Sequence, residues 1–256
     1  MQKIKFWHLQ HILRSKIVGC ILCLILSFTS SQAQLRQSLN LADHDEKPYY
    51  FGIVLGYNTS HYNTSHHPYF LGRDTIQVVE SLNSGRVHLG IMANWQVSNR
   101  FDIRFYPLNL IFSEKKFRYT QKYPNPGDDK LEQFQNVESI VMSFPLMVRL
   151  KSDRINNFRV YTLAGVKYDF DLASKAGARN AENFVKVNKT DFGVETGIGF
   201  QFFFKYFILS PEIKFSYGLT NVHARDETLK YSNVIDKLHS RMILLSLHFE
   251  GGGISF

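Results

Sequence analysis

The segment Asp191–Phe202 alternates without a break. Phe192, Val194, Thr196, Ile198, Phe200 and Phe202 occupy one face, and Asp191, Gly193, Glu195, Gly197, Gly199 and Gln201 the other. A period of two marks a strand with two unlike faces, and the length of the run is what constrains the fold. Strands of soluble proteins usually run about 5–6 residues, whereas a tilted strand needs about 9–11 to cross a bilayer. A chain made of such segments is expected to close into a membrane barrel, apolar toward lipid and polar or glycine-rich toward the lumen.

The pattern recurs. Residues 86–96 set Val87, Leu89, Ile91, Ala93 and Trp95 against Arg86, His88, Gly90, Met92, Asn94 and Gln96. Residues 206–220 set Phe207, Leu209, Pro211, Ile213, Phe215, Tyr217 and Leu219 against Ser210, Glu212, Lys214, Ser216, Gly218 and Thr220. Alternating segments at 49–59, 100–112, 137–150, 158–171 and 240–250 bring the predicted strands to eight, an even number as in bacterial single-chain barrels. Three connections are short, near 97–99, 151–157 and 203–205. Four are long and polar, roughly 60–85, 113–136, 172–189 and 221–239. That asymmetry matches periplasmic turns and extracellular loops. The expected fold is an all-β, eight-stranded, antiparallel up-and-down transmembrane β-barrel, residues 49–256. A soluble antiparallel barrel also alternates, but it would pack its apolar face as a core, and the polar, glycine-rich opposite faces here suit a lumen.

The N-terminus has the three parts of a secretory signal: basic Lys3, Lys5, Arg14 and Lys16, an apolar run from Ile17 to Phe28, and Ser31-Gln32-Ala33 before the expected cleavage. Residues 1–33 are therefore expected to be removed, leaving 34–48 as a periplasmic tail. Both cysteines, Cys20 and Cys23, lie inside the signal, so no disulfide or cysteine-ligated metal is expected. Removing the signal takes Lys plus Arg from 30 to 26 against 22 Asp plus Glu, which halves the formal charge from +8 to +4. The remaining cations are scattered, without the basic stripe that nucleic-acid binding requires.

Aromatics cluster at the short turns. Phe202, Phe203, Phe204, Tyr206 and Phe207 flank one, and Trp95 and Phe101 another, as an interfacial aromatic girdle would. Asp102, Arg104, Arg149, Lys167, Asp169, Glu195, Glu212 and Lys214 fall on the lumen face. An eight-stranded barrel is only wide enough for side chains to fill it, so these charges are expected to pair as a plug. Glu195 with Glu212 forms an alternative catalytic carboxylate pair. His61, His66 and His67 lie in one loop, but no carboxylate or cysteine completes a metal-ligand spacing. His223 with Ser216 or Ser240 would serve a lipid A-modifying barrel enzyme, although no fixed nucleophile motif selects them. The expectation is a non-enzymatic protein with no cofactor, no metal and no small-molecule substrate.

The stretches at residues 84–107, 143–174 and 192–221 resemble the PorT family of Bacteroidetes outer-membrane barrels. The likeness is carried by Tyr106-Pro107, Phe144-Pro145-Leu146 and Ser210-Pro211-Glu212. It implies an accessory part of the type IX secretion system, which exports proteins bearing a C-terminal sorting domain and in some species serves gliding motility. It implies no catalytic or ligand residue. Eight strands are too few to pass a polypeptide, so such a protein would act with, or in the assembly of, a larger translocon, its partners being outer-membrane lipid and other secretion components. An independent surface barrel, an adhesin or envelope-stabilising protein, is the alternative. Asp74-Thr75-Ile76 also resembles the short motif that carries O-glycans in Bacteroidetes, with Thr75 as acceptor.

Overall fold

The computed structural model describes residues 39–66, 76–123, 131–173, 187–224 and 234–254. The expected signal peptide 1–33, the start of the tail, His67, Asp74 and Thr75 lie outside the described residues. Nine strands follow a short 3-10 helix, Ala42–Glu46: β1 Tyr49–His66, β2 Ile76–Leu82, β3 Ser84–Gln96, β4 Phe101–Gln121, β5 Glu132–Lys151, β6 Phe158–Asp171, β7 Thr190–Phe203, β8 Ile208–Gly218 and β9 Ile235–Ile254. All pairings are antiparallel; each strand from β3 to β8 pairs with the next in the chain, while β2 pairs with β4 and β1 with both β3 and β9, closing the sheet.

β2 and β3 are two pieces of one barrel stave, interrupted at Asn83. β2 pairs with β4 from Ile76↔Gln121 to Leu82↔Lys116, and β3 continues along β4 from His88↔Ile111 to Gln96↔Asp102. The architecture is thus an eight-stave barrel. The short connections are tight turns, and Asn156 takes the left-handed φ of 53° that its side chain tolerates.

The long loops are shorter than expected, because four strands continue into them. The expected loop starts at 60 and 113 are occupied by β1 and β4, and the loop ends at 136 and 239 by β5 and β9. The reason is visible on the outward faces. β1 presents Tyr49, Phe51, Ile53, Leu55 and Tyr57, then His61, Asn63 and Ser65; β9 presents Leu247, Leu245 and Ile243, then Arg241, His239 and Lys237. The apolar belt ends there while the strands continue. A 21-residue strand such as β4, tilted about 40°, rises roughly 50 Å, twice the ~25 Å of a barrel's lipid-facing band. β9, β1, β2, β4 and β5 therefore project beyond the belt as a curved wall, whereas β6, β7 and β8 stop near its edge. Inside the wall polarity is inverted: Tyr62, Ile76, Phe117, Tyr119, Ile235 and Leu238 form a buried apolar cluster behind outward Lys116 and Arg118.

Tyr106-Pro107 is where β4 changes phase. Asp102, Arg104 and Tyr106 point inward, and beyond the proline Asn109, Ile111 and Ser113 do so. Register shifts fall at this point against both neighbours, between Ile91 and Ala93 on β3 and between Phe105 and Leu110 of the pairing with β5. Proline has no N–H for a ladder, and a bulge is where a sheet tolerates one.

Candidate functional site

The interior between the turn end and the apolar cluster is a continuous polar network. Arg104 lies at its centre, with less than 1 % of its surface exposed. Its guanidinium donates to Asn94 Oδ1 at 2.8 Å, Glu212 Oε2 at 2.8 Å and Glu250 Oε1 at 2.9 Å, and lies 3.0 Å from His248 Nδ1. Arg149 pairs with Asp102 and lies 3.4 Å from Glu250, its guanidinium 4.8 Å above the Tyr161 ring. Lys151 holds the other Asp102 oxygen at 2.7 Å, Tyr50 donates to Asp102 at 2.9 Å, Tyr161 to Glu212 at 2.7 Å and Gln201 to Glu250 at 2.9 Å. Lys214 stands 3.8 Å from both Glu195 and Glu212. Farther from the turns, Lys167 pairs with Asp169, which accepts from Ser143 at 2.5 Å.

Inward glycines make room for this. A Cβ at Gly199 would run into the Tyr161 ring, and one at Gly193 would meet Lys167 Cε. Beyond Lys167, a cavity of about 30 Å³ borders Lys115, Asp169, Asp171 and Asp191, space for one or two waters. No cluster of metal-ligating residues occurs among the described residues.

All eight charges singled out in the sequence face the interior and are buried. The network also holds Glu250, His248 and Lys151, which sit on the inward faces of alternating segments; alternation alone could place them in the lumen, but only strand register brings them to Arg104. Trp95, Phe101, Phe202, Phe204, Tyr206 and Phe207 are all exposed around the turn end, and Trp95 stacks on Tyr49 with ring centroids 6.3 Å apart. The proposed nucleophiles are not brought to a base. Ser216 and Ser240 are buried with no hydrogen-bond partner, and His223 Nδ1 lies 3.4 Å from the carbonyl of Asp236.

The described part of the tail is docked across the turn end. Arg154 donates to the carbonyls of Asn40 at 2.5 Å and Leu41 at 3.3 Å, Asn40 Nδ2 donates to Phe203 O at 3.0 Å, and Arg159 grips Asp45 at 2.8 and 2.6 Å. His44 inserts edge-on against Tyr50, with centroids 4.5 Å apart. Burial holds His44 down to about 4, against the upward pull of Glu250 and Asp45 and alongside the charges of Arg149 and Lys151. Burial pushes Asp45 up, but the Arg159 hydrogen bond and charge outweigh it and leave its carboxyl below the ordinary value. The barrel is capped at one end by its own chain and plugged along its axis by paired charges.

A closed antiparallel barrel with an apolar outward belt, an aromatic ring at its turns and a side-chain-filled interior defines an outer-membrane β-barrel protein. The family model for the outer membrane protein beta-barrel domain matches residues 32–224, and the chain belongs to that family. Among solved structures it is similar to OprG of Pseudomonas aeruginosa, at 11% identity over 80% of this chain and 96% of that one with a TM-score of 0.46. It is also similar to Neisserial surface protein A, at 11% identity over 78% and 96% with a TM-score of 0.41, and to Ail of Yersinia pestis, at 8% over 80% and 99% with a TM-score of 0.35. No curated protein matches the chain.

Proposed function

We propose that this protein is a non-conducting accessory of type IX secretion that works through its outer surfaces, with its turn end in the periplasm and its projecting wall outside the cell. The observation that carries the non-conducting half is the Arg104 network: two arginines and three carboxylates interlock across the lumen without exposure. The secretion half rests on the likeness of residues 84–107, 143–174 and 192–221 to the PorT family. A plugged barrel can contribute to export only by what it holds, and this one offers a wall of five strands beyond the belt and a capped periplasmic end. The reading is non-enzymatic, since Glu195 and Glu212 share Lys214 and neither buried serine meets a base.

A strain lacking the gene is expected to retain sorting-domain cargo in the periplasm. Shortening the β4–β5 hairpin beyond Phe112 and Ile140 is expected to impair export more than Glu212→Gln does, with insertion of each variant checked first. Normal export by the null strain would refute the secretion role, and passage of unfolded polypeptide by the purified barrel in liposomes would refute the plug. The projecting wall also favours a second reading, an independent surface barrel, which predicts normal export and altered surface adhesion in the null strain.

A further inference from the structure

Where the outward face of β9 leaves the apolar belt, it turns cationic. Arg241 follows Ile243, and Lys237 lies one further turn of alternation beyond His239. The Arg241 guanidinium sits 4.9 Å over the ring of Tyr217, its register partner on β8. No carboxylate among the described residues pairs with Arg241 or Lys237, in contrast to the interior, where every arginine has one.

Directly below, the apolar belt is dented. Tyr57, Ile198, Phe200, Pro211, Ile213 and Leu245 line an apolar groove of about 530 Å³ on the outer surface of β7, β8, β9 and β1. The β7–β8 ladder lapses between Gly199↔Glu212 and Phe202↔Leu209, where Pro211 has no N–H to offer. Leu245 is four residues from Arg241, so the groove opens about 13 Å below the Arg241 backbone along the strand.

The site suits an occupant that stands along the barrel with an apolar stem and an anionic head. A second copy of this chain docked symmetrically would oppose Arg241 to Arg241, with no acid to separate them. A lipid brings an acyl chain to the groove and a phosphate to the cation. On the reading above, the loop end faces outward, and the lipid of that leaflet is an acylated, phosphorylated disaccharide. Lys237, about 13 Å beyond Arg241, is placed to meet charge spread over such a broad head, which a single glycerophosphate does not span.

We infer that the outer surface of β7, β8, β9 and β1 binds one molecule of phosphorylated lipid A, its acyl chain in the groove at Pro211 and Ile213 and its phosphate on Arg241. This inference rests on the outward orientation of the loop end but not on the role in secretion.

The test is native mass spectrometry of the full mature barrel in detergent, titrated with phosphorylated lipid A, the same lipid dephosphorylated, and phosphatidylglycerol. Phosphorylated lipid A is expected to bind one per barrel, at least about fivefold tighter than either comparison lipid, and Arg241→Gln to remove about that factor. Lys237→Gln, outside the belt and harmless to folding, is expected to weaken the same lipid by a smaller factor. Ile213→Trp, which fills the groove without altering charge, is expected to weaken both forms of lipid A.

Unchanged binding in Arg241→Gln would overturn the inference, as would phosphatidylglycerol binding equally well or a dimer abolished by Ile213→Trp. Labelling of Lys237→Cys on intact cells by a membrane-impermeant maleimide separates the two readings. Labelling without lipid A binding refutes the site alone, and absence of labelling on a folded barrel refutes the orientation and the site with it.

Discussion

Replacing Arg104 by alanine tests whether the lumen is a dry ion network. The side chain donates to Glu212 at 2.8 Å, Glu250 at 2.9 Å and Asn94 at 2.8 Å, with almost no exposure. Removing one partner of a buried ion pair typically costs about 3–5 kcal/mol, because the remaining charge stays buried. Here two carboxylates lose their nearest cation, but neither is abandoned. Glu212 keeps Tyr161 at 2.7 Å and Lys214 at 3.8 Å, and Glu250 keeps Gln201 at 2.9 Å and Arg149 at 3.4 Å. A cation near 4 Å still supplies about 4 kcal/mol of attraction at an effective dielectric of about 20, so the expected loss lies at the lower end, about 3 kcal/mol. Arg104→Met combined with Glu212→Gln and Glu250→Gln, which removes charge on both sides, is expected to recover at least half of it. The assay is urea unfolding from liposomes followed by tryptophan fluorescence. Trp95, the only tryptophan outside the first 33 residues, sits half-exposed at the turn end and reports loss of the lipid environment. A loss under about 1 kcal/mol would refute the reasoning, since it would mean that water, not Arg104, satisfies these carboxylates.

Ile213 faces outward within the belt, so Ile213→Arg is expected to cost about 2–4 kcal/mol in liposome folding, whereas Lys116→Ala, on the projecting wall, is expected to fall within about 0.5 kcal/mol of wild type; equal effects would contradict the position of the belt. The cap should loosen in acid: His44 is held at about 4 in the docked state against an ordinary 6.5, so the undocked segment binds the extra proton between those values and docking weakens as pH falls from about 6.5 to 4, by up to about 3 kcal/mol. Asp45, depressed below its ordinary value, adds its loss only at still lower pH. Hydrogen exchange of the backbone at 42–46 reads this directly, and protection that is the same at pH 7.5 and 4.5, or an identical acid response in His44→Phe, would sink the idea.

What was legible in the sequence is what alternation alone controls. Each strand carries its own record of which residues face lipid, so β6 and β7 emerge nearly to the residue, and Asp102, Arg104, Glu195 and Glu212 fall inward without knowledge of their neighbours. Partnership is a different matter. The proximity of Glu250 to Arg104 depends on the closure of β9 against β1 and on stagger around the barrel, neither of which is written in any single strand. The strand ends are hidden because apolar-outward polarity marks only the part of a strand that faces lipid. In Lys116-Phe117-Arg118-Tyr119 the period of two persists but its sense is reversed, since the outward face there meets water and the inward face a packed cluster. The membrane, rather than the sheet, ends where the lipid pattern ends. The same reasoning explains the docked cap: Asn40–Glu46 shows no periodicity, being held by Arg154, Arg159 and Phe203, from a turn and two strand ends more than a hundred residues away in the chain, so its position is a property of the closed barrel end and becomes visible only once that end is built.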